Sequence, residues 1–161
     1  MVSLRLLYPE YPTPSDAQIF SPAETGIMFS CTATGQIVGV RFYRIDAFPG
    51  NNVASLWDIS GNLLSQSSLQ LSQPGWQDIL FIPATIIPGL PYVASVYNPN
   101  GYIATPGLLA SPRILGPLMG IAGVIDPIHE YPASQSRTDY WVSPIFNAVS
   151  SSDGLLDLGE L

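Results

Sequence analysis

The sequence predicts an all-β protein: an antiparallel β-sandwich of the jelly-roll type, with an extended N-terminal arm and a C-terminal tail. Apolar and polar residues alternate with a period of two in short runs, aromatic residues occupy strand positions, and Gly or Pro separates the runs. Turn signals recur about every eight to twelve residues, which is the spacing of a sandwich or jelly roll.

Residues 1–23 form the predicted arm. Four prolines in this segment fix φ and remove backbone donors, so the segment is extended and not helical. Residues 2–7 have the composition of a short strand that adds to a sheet edge.

Residues 24–146 form the predicted sandwich domain. Its predicted strands are 25–31, 36–44, 53–59, 63–69, 76–82, 90–97, 102–104 and 139–146. The first two strands are separated by a hairpin-length connection that ends in Gly35, and the turn 60–62 joins the third and fourth strands. Alternation in 36–44 puts Val38, Val40 and Phe42 on the core face.

Two segments are predicted to lack regular structure. Residues 105–138 are apolar but broken repeatedly by Pro and Gly, so they are interpreted as a long loop that is functional, bound or mobile. The run 115–125 inside it is either an exposed interface or a flap over the open sandwich edge. Residues 147–161 are a polar linker and a leucine-rich tail, which frays unless it docks on a partner.

The arm, the loop and the tail supply the predicted contacts with partner proteins. The predicted contact residues are Leu4, Leu6, Leu7, Leu118, Met119, Ile121, Leu155, Leu156 and Leu158.

Charge excludes several classes of partner and reaction. The net charge is −7, and the five basic residues are all arginines, so no basic face neutralises nucleic-acid phosphates or anionic lipids. The absence of lysine excludes Schiff-base and P-loop mechanisms. The first residues lack the pattern of a secretory signal, and no run reaches the roughly 20 apolar residues of a membrane span, so we expect synthesis and release in the cytoplasm.

The sequence offers little for catalysis or metal binding. His129 is the single histidine and Cys31 the single cysteine, so zinc ligands are too few, and Cys31 is expected to be a buried apolar residue. A carboxylate pair for glycoside hydrolysis stays open among Asp46, Asp58, Asp78, Asp126, Glu130 and Asp139. The loop that contains Asp46, Asn51 and Asn52 offers several hard oxygen ligands. It is interpreted either as a structural calcium site or as an ordinary Asx-turn loop.

Aromatic residues suggest a saccharide site, because aromatic rings stack on the C–H faces of pyranoses. Trp57 and Trp76 are expected in the core because of their size. Tyr97, Tyr102 and Tyr131 lie at turns and are the predicted exposed rim of such a site.

Eight short sequence words occur in order: AETGIMF at 23–29, GVRFY at 39–43, LW at 56–57, GNLL at 61–64, GWQ at 75–77, YVAS at 92–95, GY at 101–102 and YWV at 140–142. Over residues 22–146 they resemble an uncharacterised bacterial and phage extracellular domain family of unknown function, often found beside bacterial immunoglobulin-like repeats. The resemblance implies a β-sandwich with an outward-facing role and supplies no catalytic residue.

Together these observations favour a non-enzymatic structural protein of a phage particle, a capsid decoration or tail-associated protein on the virion surface. Its expected partners are other virion proteins and copies of itself, and no cofactor is expected apart from the calcium alternative. The alternative function is an extracellular carbohydrate-binding adhesin that recognises a cell-surface glycan. A glycoside hydrolase is the third possibility.

Overall fold

The period-two alternation forms strands along most of the chain. The structure is a computed structural model that describes residues 3–5, 7, 17–45 and 47–148, with the backbone alone at 3–5 and 17. Within these residues the strands are β1 Ser3–Arg5, β2 Ala17–Ile19, β3 Ala23–Cys31, β4 Gly35–Arg44, β5 Gly50–Asp58, β6 Leu63–Leu71, β7 Gly75–Ile86, β8 Tyr92–Asn98, β9 Tyr102–Ala104, β10 Arg113–Leu115, β11 Leu118–Asp126, β12 Ser134–Ser136 and β13 Val142–Ala148.

Two antiparallel sheets form the sandwich, which confirms the predicted fold class. The smaller sheet has the order β1-β13-β4-β7. The larger sheet has the order β10-β11-β3-β8-β5-β6, and β12 also pairs with β11. A separate two-stranded sheet joins β2 to β9.

The core lies between the sheets and takes side chains from both. Phe29 and Leu56 come from the larger sheet, Phe42 and Phe146 from the smaller one, and each has at most 1% of its surface exposed. Burying each such side chain contributes about 1.5–3 kcal/mol. Cys31 also belongs to this core, as predicted, and burial raises the pKa of its thiol to about 12.

A second, smaller cluster covers the outer face of the larger sheet. Met28 lies between two core residues, so its side chain points to the opposite face of the sheet, where it joins Trp57, Val93 and Val124. Tyr131 packs on this cluster from a covering segment, residues 127–133, that follows β11. The outer face is therefore partly closed by the chain itself.

The prediction of a structureless loop at 105–138 is wrong. The segment contains β10, β11 and β12, and β11 pairs with β3 along almost its whole length. Its glycines resemble turn signals in the sequence, but in the structure they let neighbouring segments approach, since a Cβ at Gly123 would collide with the carbonyl oxygen of Thr138.

The arm and the first hairpin also differ from their predictions. Ser3–Arg5 pairs with β13 in the smaller sheet, so the predicted edge strand forms within this chain. The connection 32–34 does not close a hairpin, because β3 pairs with β8 and β11 while β4 pairs with β7 and β13. The second hairpin, β5 with β6, is confirmed.

Candidate functional site

Two of the three predicted rim tyrosines lie on the outer face of the larger sheet. The ring of Tyr97, on β8, stacks on the imidazole of His129 with centroids 4.5 Å apart. Tyr131 packs edge-on against Trp57 at 5.5 Å. Tyr102 lies in the two-stranded sheet against Tyr140, so the three residues do not share one sheet. Burial raises the pKa of both Tyr102 and Tyr131.

A buried carboxylate lies beneath this face. Glu24, on β3, is completely buried. One of its oxygens accepts a hydrogen bond from Ser95 Oγ at 2.6 Å, and the other lies 2.8 Å from His129 Nδ1. The indole of Trp57 donates to Ser95 Oγ at 2.9 Å. The network therefore ties the covering segment, through His129, to three strands of the larger sheet.

Burial raises the pKa of Glu24 to about 7. The hydrogen bonds from Ser95 and His129 and the charge of His129 oppose this shift, whereas the nearby carboxylate of Asp126 adds to it. Desolvation is the largest cause because water is excluded from the charged form of the carboxylate. Glu24 consequently holds or releases its proton close to neutral pH.

The residue types of this network are those of a hydrolytic triad, but their order is different. A nucleophilic serine needs a histidine as the base that accepts its proton. Here Ser95 donates to Glu24, and the serine is fully buried, so its hydroxyl does not reach a substrate in solution. The arrangement instead fixes the covering segment, and its buried carboxyl group binds and releases one proton.

Sequence reasoning missed Glu24. A carboxylate directly before an apolar run, in a chain with a single histidine, was the available signal. Nothing local in the sequence places residues 24 and 129 together, because 105 positions separate them.

Three of the candidate carboxylates, Asp58, Asp126 and Asp139, have local partners. Asp58 accepts hydrogen bonds from the backbone N–H groups of Ser60 and Asn62 and from the Asn62 amide, and these bonds lower its pKa. Asp126 accepts from the N–H of Ile128, and Asp139 from that of Trp141. These carboxylates stabilise turns.

The predicted calcium loop is different in the structure. Asn51 and Asn52 lie in β5, and Asn52 is buried with its Oδ1 accepting from Arg44 Nε at 2.9 Å. Its amide donates to the carbonyl of Tyr97 at 3.1 Å. The predicted ligand oxygen of Asn52 therefore faces a guanidinium, and Asp46 lies outside the described residues.

No three described His, Cys, Asp or Glu side chains come together in a way that could hold a metal ion. Across the same described ranges, no helix has the length and apolarity needed to cross a membrane.

Two predicted interface leucines belong to the core. Leu7 and Leu118 are completely buried, because β1 and β11 are part of the sheets and bring them between the layers. Met119 and Ile121 are partly buried, and Ile121 borders a groove of about 340 Å³ that includes Arg137. The backbone of Leu4 pairs with β13. Leu6, Leu155, Leu156 and Leu158 lie outside the described residues.

An exposed apolar surface does exist, at another edge of the sandwich. It follows the outward side of β7 and the turns beside it, and we call it the apolar edge. Its members, with their exposed fractions, are Ile59 45%, Leu64 40%, Leu80 63%, Ile82 82%, Ile87 59% and Leu90 48%.

A groove of about 410 Å³ lies within the apolar edge, between the β5–β6 turn and the β7–β8 turn. Ile59, Leu64, Ile87 and Leu90 line it together with Tyr92. The hydroxyl of Ser65 donates to the carbonyl of Ile82 and joins the edges of the two sheets beside it.

Residues 10–142 match the family described as domain of unknown function DUF4082. No curated protein matches the chain.

Proposed function

This chain belongs to the DUF4082 family of domains of unknown function, and we propose that it is a non-enzymatic structural protein of a phage particle. It attaches to other particle proteins through the apolar edge. The single observation that carries the proposal is the exposure of Leu80 and Ile82, at 63% and 82%, on one side of a long strand.

The position of these residues supports attachment. β7 is the last strand of the smaller sheet, and exposed apolar side chains on an edge strand are a site of association. Several large apolar side chains exposed on one part of a surface mark a protein interface. The adjoining groove adds a concave part into which an apolar side chain of the partner fits.

The partner is a protein, because the chain's net charge of −7 repels nucleic acid and anionic lipid. A capsid or tail protein that exposes an apolar patch of its own fits the apolar edge as a partner. The chain then faces outward on the virion, where acidic residues keep its remaining surface soluble.

The first prediction tests attachment. The double variant Leu80→Gln, Ile82→Thr should reduce the copies of this chain per purified phage particle by roughly tenfold or more, because two central apolar contacts are lost. Copies per particle are counted by quantitative mass spectrometry. The melting temperature should change little, since both side chains are exposed.

Ile114→Thr is the matched control. Ile114 is 68% exposed but lies on β10, at the opposite edge of the larger sheet. It should leave incorporation unchanged. The proposal fails if the wild-type chain is absent from particles, or if the double variant is incorporated as well as the control.

A further inference from the structure

Three aromatic side chains meet at one end of the smaller sheet, and we call them the aromatic corner. Tyr43 on β4 is opposite Trp76 on β7, with ring centroids 5.4 Å apart and nearly perpendicular planes. Trp141, directly before β13, lies 6.5 Å from Trp76. All three are partly exposed, and Trp76 and Trp141 also pack against the core.

The corner faces outward. Phe42 is a core residue, and successive side chains of a strand point to opposite faces, so Tyr43 points away from the core. Trp76 is its direct neighbour in the register and lies on the same face.

Trp141 has a strained backbone. Its φ of 56° is the only positive value among the described residues other than glycine, and this region is unfavourable for a bulky side chain. Its N–H donates to Asp139 Oδ1 at 2.8 Å, its carbonyl accepts from the N–H of Tyr43 at 3.1 Å, and its indole donates to Thr105 Oγ1 at 2.9 Å. These bonds hold the indole against Trp76, and strain of this kind concentrates at functional sites.

Charged hydrogen-bonding groups lie beside the rings. Arg41 and Asp78 form the next outward pair along β4 and β7, about 7 Å from Tyr43 and Trp76 by strand geometry. Arg41 Nε and Nη2 donate to the two carboxylate oxygens of Asp78 at 2.7 and 2.8 Å. The side chain of Asp78 is 40% exposed, so its oxygens have room for a further donor.

We propose that the aromatic corner and Asp78 form a binding site for a neutral pyranose saccharide. The apolar C–H face of a sugar ring packs on the exposed ring surface of Trp76, while its hydroxyls donate to the Asp78 carboxylate. Arg41 balances the charge of Asp78 and fixes its orientation. The chain's net charge of −7 disfavours an acidic sugar, so an uncharged one is expected.

This site differs from the predicted tyrosine rim. Tyr131 packs on Trp57 and Tyr97 on His129, whereas the rings of the corner lie beside the partly exposed carboxylate of Asp78. It also lies apart from the groove of the apolar edge, so sugar binding and particle attachment are separable.

The three tryptophans allow a direct test. The ¹⁵N-labelled full-length chain is titrated with neutral oligosaccharides of glucose, mannose, galactose and xylose, and the three indole N–H resonances are followed. At least one series should shift the resonances of Trp76 and Trp141. The resonance of Trp57 should stay in place, since its indole donates to Ser95 on the larger sheet.

Variants test which residues bind the saccharide. Trp76→Ala should weaken binding roughly tenfold or more, and Asp78→Asn, which leaves the rings intact, by severalfold. Tyr131→Ala, a partly exposed aromatic on the other sheet, should bind as the wild type does. Particle incorporation of Trp76→Ala should be unchanged.

Three results would overturn the proposal of a saccharide site at the aromatic corner. These are no indole shift with any of the four sugar series, a shift confined to Trp57, or equal weakening by Tyr131→Ala and Trp76→Ala. The wild-type titration needs no variant to fold, so the first two of these results remain decisive even where a variant is unstable.

Discussion

The free energy of unfolding should fall by on the order of 3 kcal/mol as the pH rises from about 4.5 to about 7, and Glu24→Gln should remove this dependence. Burial raises the pKa of Glu24 from its ordinary value of 4.5 to about 7. Between these values the folded chain keeps a proton that the unfolded chain releases.

The sign follows from that difference in bound protons. Below the ordinary value Glu24 is protonated in both states, and its contribution to stability is fully present. As the pH rises towards 7, the unfolded state alone gains the solvation of a free carboxylate, so stability falls. Above about 7 both states are ionised and the loss is complete.

Neighbouring groups set the size of the effect and not its direction. His129 and Ser95 stabilise the ionised carboxylate, and Asp126 disfavours it. Asp58 has a lowered pKa, so its contribution has the opposite sign and is lost only as the pH falls below about 3.8, outside this window.

Urea unfolding followed by tryptophan fluorescence from about pH 5 to about pH 8 measures the slope. Glu24→Gln keeps a hydrogen-bonding group of the same shape without the charge, and its profile should be flat in comparison. Glu130→Gln removes an exposed carboxylate from the covering segment and should keep the wild-type slope. An equal slope in Glu24→Gln and the wild type would show that other groups cause the pH dependence.

The strands were largely predictable because their signal is local. Alternation and turn residues give the approximate limits of β4, β5 and β6, and Phe42 and Val40 are buried as expected. The same alternation misplaced Val38, because a β-bulge between Ile37 and Gly39 shifts the register and puts Ile37 in the core.

Pairing was less predictable because it depends on distant contacts. Pro83 looks like the end of a strand, yet β7 continues to Ile86, because an edge strand tolerates a missing N–H. The glycines of β11 resemble loop residues until the neighbours that require them are known. A Cβ at Gly120 would approach the Ile27 side chain to 2.7 Å.

The candidate sites also depend on distant contacts that the sequence does not reveal. The sequence indicated that aromatic residues mattered, but it selected turn tyrosines, whereas the partly exposed cluster is formed by Tyr43, Trp76 and Trp141 from three different strand regions. The residue type of Trp141 gives no signal of its left-handed backbone. This conformation follows from Asp139 and Thr105, which hold the residue from both sides.

Replacing Arg44 by Ala should lower the free energy of unfolding by about 3–5 kcal/mol, a large part of a typical domain stability. Arg44 is 2% exposed and donates to Asn52 Oδ1 and to the carbonyls of Phe48 and Gln73. Removing the guanidinium takes its donor from the buried Asn52 Oδ1, which costs about 1–3 kcal/mol, and the two part-buried bonds and the packing of the buried side chain are lost as well.

One variant separates the charge of Arg44 from its geometry, and a second serves as the control. Arg44→Lys keeps a cation but not the planar fork, so it should recover only part of the loss. Arg137→Ala removes an exposed arginine and should stay within about 0.5 kcal/mol of the wild type. Stability is measured by urea unfolding at constant pH.

A thermal melt with calcium or a chelator decides between an arginine and a calcium ion in this region. Because Arg44 already supplies the positive charge to Asn52 Oδ1, adding calcium or a chelator should leave the melting temperature of the wild type unchanged. A chelator that lowered it by several degrees would mean that a metal is bound here.

The stability prediction for Arg44→Ala has its own contrary outcome. A loss of unfolding free energy below about 1 kcal/mol would mean that water replaces the guanidinium without strain.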